Sequence, residues 1–166
     1  MHRYDFRLMS MAGATALSLL AASPASATAE PARDYIEAGS YLRSDAEFEA
    51  WYGLVHRLRR DFDDICGDTF CEGDYSNIQS LSFRCSVERS SGRIGQCLWL
   101  FAASNEDVDP ATGRVNVQFQ HWRCRAPLAS RTTMEALLGA LAGDTPMRAP
   151  LPGTPRTLYD GLIDCL

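Results

Sequence analysis

Apolar residues recur every three or four positions between Phe48 and Ile65. Phe48, Trp51, Val55, Leu58, Phe62 and Ile65 mark one face of a long helix. Ser44 and Glu47 form an S-x-x-E capping box at its start, and Gly67 is placed to stop it as a C-cap. The opposite face carries Glu49, His56, Arg59, Arg60 and Asp63. Downstream the period changes from 3.6 to 2. Residues 81–88 and 95–103 read as strands, joined by a three-residue loop, Ser90-Ser91-Gly92, with glycine at the left-handed position. Trp99 and Phe101 alternate with Leu98 and Leu100, so this strand is expected to be central and covered on both faces. Residues 105–113 read as an acidic loop. A third strand, 114–124, alternates Val115, Val117 and Phe119 with Asn116, Gln118 and Gln120, which gives one apolar and one wet face. Thr132 and Glu135 cap a short helix with Met134, Leu137, Leu138 and Leu141 inward, ended by Gly143. Thr154 and Pro155 start another that buries Leu158, Leu162 and Cys165. The expected fold is α+β: a long N-terminal helix, a three-stranded antiparallel β-meander and two short C-terminal helices, stapled by disulfides.

The segment before this pattern has a different character. Residues 1–27 read as a signal peptide, with His2, Arg3 and Arg7 ahead of the uncharged stretch Leu8 to Ala22. Ala25-Ser26-Ala27 and Ala27-Thr28-Ala29 both fit a small-x-small processing site, so cleavage is expected after Ala27 or Ala29. Ser10, Gly13, Thr15 and Ser18 interrupt the run, which falls short of the ~20 apolar residues of a spanning helix. Residues 28–43 are expected as a flexible lead-in and 44–166 as a single domain. The expectation is a periplasmic or secreted protein without a membrane anchor.

Composition narrows the chemistry. The chain has 166 residues, is 46% hydrophobic and 22% charged, and carries a net charge of −5. An acidic chain lacks the basic footprint that nucleic acid requires, so no nucleic-acid partner is expected. All 16 basic residues are arginine. Lysine Schiff-base chemistry and a P-loop lysine are therefore out. No Gly-rich phosphate loop, no G-x-S-x-G and no cofactor fingerprint occurs, and no cofactor is expected.

The cysteines are Cys66, Cys71, Cys85, Cys97, Cys124 and Cys165. An even set behind an export signal is expected to form disulfides. The hairpin register that closes at Arg89 opposite Arg93 sets Cys85 against Cys97, within disulfide reach. Like charges at the turn oppose this register by less than ~1 kcal/mol, whereas a disulfide contributes ~2–4 kcal/mol. For the other four, alternatives stay open. Cys66 and Cys71 could close a small loop, and Cys124 could tie the tail to the sheet through Cys165. A zinc site is not expected, because there is no C-x2-C and only His56 and His121 follow the signal.

Candidate chemistry concentrates where the first helix ends. Asp61, Asp63, Asp64, Asp68, Glu72 and Asp74 crowd the C-terminal end of the helix and its loop, where the dipole disfavours them. One reading is a face for a basic partner. The plainer one is a solvated helix end. Within this stretch Cys66-Gly67-Asp68-Thr69-Phe70-Cys71 resembles the cysteine-closed C-x4-C loop of the Ivy-type lysozyme inhibitors, over these six residues only. That family's loop inserts a histidine into the enzyme; here Gly67, Asp68, Thr69 and Phe70 stand between the cysteines. A closed loop would present Phe70 as an anchor flanked by acids. The competing reading folds Phe70 into the core behind a structural staple.

The partner-binding candidates are thus Asp68, Thr69, Phe70, Glu72 and Asp74. Asp107 and Asp109 offer too few ligands for calcium, and a hairpin turn is the simpler reading. His121-Trp122 suggests a sugar platform or a base, with core packing of Trp122 as the alternative. The functional expectation is an exported binding protein, with an inhibitor or immunity protein against a basic envelope-active hydrolase as its concrete form. The alternatives are a carboxylate-based envelope hydrolase and a structural envelope protein.

Overall fold

The computed structural model describes residues 34–166. The signal-peptide segment 1–27, with its cleavage sites, lies outside the described residues. The fold is α+β with a four-stranded antiparallel sheet, β1-β2-β3-β4 in sequence order. The strands are β1 (Tyr35–Glu37), β2 (Gln79–Glu88), β3 (Ile94–Val108) and β4 (Val115–Arg125). The helices are α1 (Ala38–Tyr41), α2 (Asp45–Ile65), α3 (Met134–Ala140) and α4 (Leu158–Ile163).

The expected three-stranded meander therefore gains a strand, and the long helix is not the first element. Part of the expected flexible lead-in supplies both additions. Ile36 pairs with Val87, Glu37 caps α1 by accepting from the Gly39 amide at 2.7 Å, and Ala38 and Leu42 are buried. Asp34 adds a 2.8 Å ion pair to Arg89. These residues were hard to read because a three-residue strand and a four-residue helix are too short to show a period.

α2 begins as expected. Ser44 and Glu47 form the full capping box. The helix buries Trp51, Leu54, Leu58, Asp61 and Phe62. Gly67 does not stop it. The chain passes from Ile65 straight into a π-type turn, Cys66–Phe70. The later caps also shift. Thr133, not Thr132, caps α3 by accepting from the Ala136 amide, while the Thr132 hydroxyl donates to the Ala129 carbonyl. α3 ends at Ala140, ahead of Gly143. α4 starts at Leu158 with Thr157 and Asp160 as its capping box, three residues beyond Pro155.

The six cysteines form three disulfides: Cys85–Cys97, Cys66–Cys71 and Cys124–Cys165, with Cα separations of 4.0, 5.0 and 5.4 Å. Cys85 faces Cys97 in the β2–β3 ladder. The opposed arginines are resolved by a bulge. Ser86 pairs with Gln96 but Val87 pairs with Ile94, which leaves Gly95 as the extra residue. Arg89 is thereby released to Asp34. A Cβ at Gly95 would sit 2.8 Å from the Tyr35 ring, and one at Gly92, where φ is +68°, would sit 2.5 Å from the Tyr41 hydroxyl.

One face of the sheet is the core. Phe62 meets the Phe101 ring at 4.6 Å and Trp99 at 6.0 Å, and Trp51 meets Phe83 at 5.9 Å. The buried Trp99 Nε1–H donates to Ser80 Oγ at 2.8 Å. Arg57 and Arg60 reach from α2 to the carbonyls of Leu141 and Asp144, at 3.2 and 2.8 Å. Buried Asp61 accepts from the Met147 amide at 3.4 Å. α2 thus fixes the C-terminal segment as well as the sheet.

The other face corrects two expectations. Leu98 and Leu100 are half-buried, so β3 is not covered on both sides. β3 also runs on to Val108, through the expected loop, and pairs with β4 as far as Val108–Val115. The two strands project as an arm. On it Val115, Val117 and Phe119 face solvent, and Cys124 and Trp122 belong to the core side.

Two outcomes are expected in urea unfolding. Phe62→Ala lowers stability by about 3–5 kcal/mol, the range for truncating a buried aromatic. Ser80→Ala costs about 1–3 kcal/mol, because the buried indole N–H loses its acceptor.

Candidate functional site

The closed loop forms because α2 does not terminate in a left-handed cap. Its last turn widens, the Cys71 amide donates to the Cys66 carbonyl at 2.7 Å, and the disulfide joins the same two residues. Asp68 and Thr69 stand exposed at the turn, followed by exposed Glu72 and Asp74. Phe70 points the other way. Its ring lies nearly parallel to Phe62 at 6.0 Å and contacts Tyr159 at 5.9 Å. Of the five predicted partner-binding residues, four share the outer surface of this stretch. Phe70 is instead the peg that holds it down, as the competing sequence reading had it. An apolar ring in a five-residue turn next to a buried Phe62 gains more by packing than by exposure.

The acidic stretch divides in the same way. Asp63 and Asp64 are exposed near the turn. Asp61 is buried and engaged by the Met147 amide and by Arg60 at 3.2 Å. It belongs to the scaffold. Tyr75 packs edge-on against Trp122 at 5.7 Å. Asn77 donates to Ser104 Oγ at 3.1 Å and accepts from the Ser104 amide at 3.0 Å. The segment after the loop is therefore anchored at both aromatic and polar contacts, so Glu72 and Asp74 sit between fixed points.

The other candidates fall in place separately. Asp109 is a turn residue. Its carboxylate accepts from the amides of Ala111 and Thr112, at 2.8 and 3.2 Å. Those bonds, the Ala111 amide first, hold its carboxyl below the usual range. His56 lies exposed on α2 and His121 exposed on β4, in separate elements. Trp122 is half-buried against Tyr75. Among the described residues no group of three or more His, Cys, Asp or Glu side chains is placed to hold a metal ion, and no helix is long and apolar enough to cross a membrane.

A cleft of about 480 Å³ opens between the starts of α2 and α3 and the β2–β3 turn. Glu47 and Glu135 both line it. Its parts are distant in the chain, so no local pattern announces it. Glu47 is committed to its cap: it accepts from the amides of Arg43 and Ser44 at 2.9 and 2.8 Å. The Arg43 and Ser44 amides hold its carboxyl below the ordinary value. A carboxyl so held is a poor proton donor near neutrality.

Comparisons with protein-family models, with curated proteins and with solved structures return no match. The geometry alone carries the functional reading.

The lowered carboxyls of Glu47, Asp109 and Asp160 make a pH prediction. A depressed folded-state pKa contributes stability above the unfolded value, roughly pH 4, and loses it as pH falls through the folded value. Glu47→Gln is expected to lower Tm at pH 7 and to narrow the gap from wild type as pH approaches about 3. An equal gap at both pH values would count against a role for the ionised cap.

Proposed function

We propose that this is an exported, disulfide-stapled binding protein whose partner is a basic protein of the cell envelope or its surroundings. The observation that carries this reading is the rigid acidic turn. A disulfide closes it, Phe70 pegs it to Phe62 and Tyr159, and Asp68, Thr69, Glu72 and Asp74 are left facing outward. A backbone ordered before contact avoids the loop-ordering part of the entropy cost of binding. Its charge favours encounter with a basic surface, raising the on-rate at low salt. Three disulfides support export, because they persist in oxidising compartments.

An inhibitor of a basic envelope-active hydrolase is the concrete form of this proposal. Recognition would rest on carboxylates and Thr69, since Phe70 is spent on packing. The test uses immobilised protein, an envelope extract and a panel of basic cell-wall hydrolases. A partner is expected to be retained, with an on-rate that falls as salt rises. Asp68→Asn with Glu72→Gln and Asp74→Asn is expected to cut that rate about tenfold while Tm stays within about 2 °C. Retention of no protein, or retention indifferent to both salt and the triple substitution, would overturn the proposal.

A further inference from the structure

We propose that the groove between α2 and the unpaired half of β2 binds the C-terminal tail of a partner protein. The tail adds to the sheet as an extended strand and sets its α-carboxylate against Arg59 and His56. None of these residues belongs to the acidic turn.

β1 is the last strand on its side of the sheet, yet it pairs with β2 only from Ser86 to Glu88. From Gln79 to Cys85 that side of β2 has no strand beside it among the described residues. Backbone direction alternates along β2. The Glu88 amide donates to the Arg93 carbonyl on the β3 side, and the Arg89 amide donates to the Asp34 carbonyl on the β1 side. Odd positions from Phe83 on therefore face the β1 side, which directs the amides and carbonyls of Phe83 and Cys85 to the open edge. Backbone groups so placed take up an extended chain.

Beside this edge lies a groove of about 250 Å³. α2 forms one wall with Tyr52, Val55, His56 and Arg59, which share a stripe at i, i+3, i+4 and i+7. β2 forms the other from Ser80 to Phe83. Leu81 is the extra residue of a bulge, since Ser80 pairs with Phe101 and Ser82 with Leu100. Tyr52 and Leu81, on opposite walls, are 59 and 60% exposed.

Charge selects the occupant. The chain has a net charge of −5, but no Asp or Glu lines this groove. Arg57 and Arg60, on either side of Arg59, reach the carbonyls of Leu141 and Asp144. Arg59 forms no hydrogen bond or ion pair with a described residue and stays exposed. A guanidinium free at the end of a hydrogen-bonding edge suits a carboxylate.

The direction follows from the packing of α2. Trp51 meets Phe83, and Phe62 meets Phe101, which is level with Ser80. α2 thus runs antiparallel to β2, with Arg59 toward the start of the strand. A tail antiparallel to β2, like the rest of the sheet, runs along α2 and ends at Arg59. Glu37 marks the opposite end: a Cβ at Gly39 would sit 2.9 Å from Glu37 Oε2 and 3.0 Å from the Tyr52 hydroxyl. Asp63, one turn past Arg59 and exposed, opposes an acidic segment that runs on, which favours a chain that stops there. With the last residue level with Leu81, the third from the end is level with Phe83. Its side chain points toward α2 and meets Val55, so it is expected to be apolar.

The probes are acetylated hexapeptides with a free C-terminus and Val, Leu, Ile or Phe third from the end. They are titrated into the disulfide-bonded protein purified after export and followed by NMR. The tightest member is expected to bind with a Kd below about 1 mM. It is expected to shift the amides of Leu81, Phe83 and Cys85 and to slow hydrogen exchange at Phe83 and Cys85. Amidating its C-terminus, or Arg59→Glu in the protein, is expected to weaken binding at least about tenfold. N-methylating its third residue from the end removes the bond to the Phe83 carbonyl and is expected to cost about as much. Arg59→Glu is expected to leave Tm within about 2 °C, since the side chain is exposed. The proposal is overturned where no member binds up to about 5 mM, or where the shifts gather away from β2. Affinity indifferent to amidation, to Arg59→Glu or to N-methylation overturns it as well. So does an amidated peptide with an internal Asp that binds as tightly.

Discussion

The contact between Phe62 and the Trp99–Phe101 pair decides where everything else can go. Phe62 comes from the last turns of α2, and Trp99 and Phe101 from the middle of β3, one of the two inner strands of the sheet. Burying these three rings against one another fixes which face of the sheet is inside. Each fully buried aromatic removes ~150–250 Å² from water, and at about 25 cal/mol per Å² this outweighs any single surface contact. Once Phe62 is seated, Phe70 packs between it and Tyr159. The turn between Cys66 and Cys71 is then drawn inward at one residue and left outward at the rest.

The same choice of inner face explains the arm. Trp99 and Phe101 occupy odd positions of β3, so Leu98 and Leu100 must lie on the outer face. Register carries that parity across to β4, where Cys124 and Trp122 pair with Trp99 and Phe101. Val115, Val117 and Phe119 are then compelled to face solvent. Their apolar character cannot serve the core. Beyond Ser104 and Phe119 the strands pair only with each other.

This parity also marks the limit of what the chain discloses. The period of α2, its capping box, the left-handed Gly92 and the Cys85–Cys97 pair were all legible, because each depends on residues close in sequence, although the hairpin closes at Glu88 and Arg93 around four residues and not three. An alternating strand is legible as alternating, but not which of its faces is inside. Val115, Val117 and Phe119 read as the apolar row, yet the inner row is the one with Gln120, Trp122 and Cys124. Phe70 posed the same problem in miniature: an aromatic between two cysteines fits an anchor and a peg equally well. Only the position of Phe62 separates the two. β1 and α1 escaped notice for a different reason, since too few residues carry the pattern.

The two outward surfaces follow from one economy of the fold. With 166 residues, α2 and the C-terminal helices supply enough apolar surface to cover one side of the sheet. Nothing among the described residues covers the other. A face left open must be polar, or it must meet something. Near β2 it is polar, with Ser82, Arg84 and Ser86. On the arm it is not. The acidic turn differs in kind, because its carboxylates are well hydrated and cost little when left free. Its rigidity is what sets it apart. A solvated helix end needs neither a disulfide nor an aromatic peg. Here both lie within six residues, and they hold the backbone from which Asp68 and Thr69 project, with Glu72 and Asp74 just beyond it.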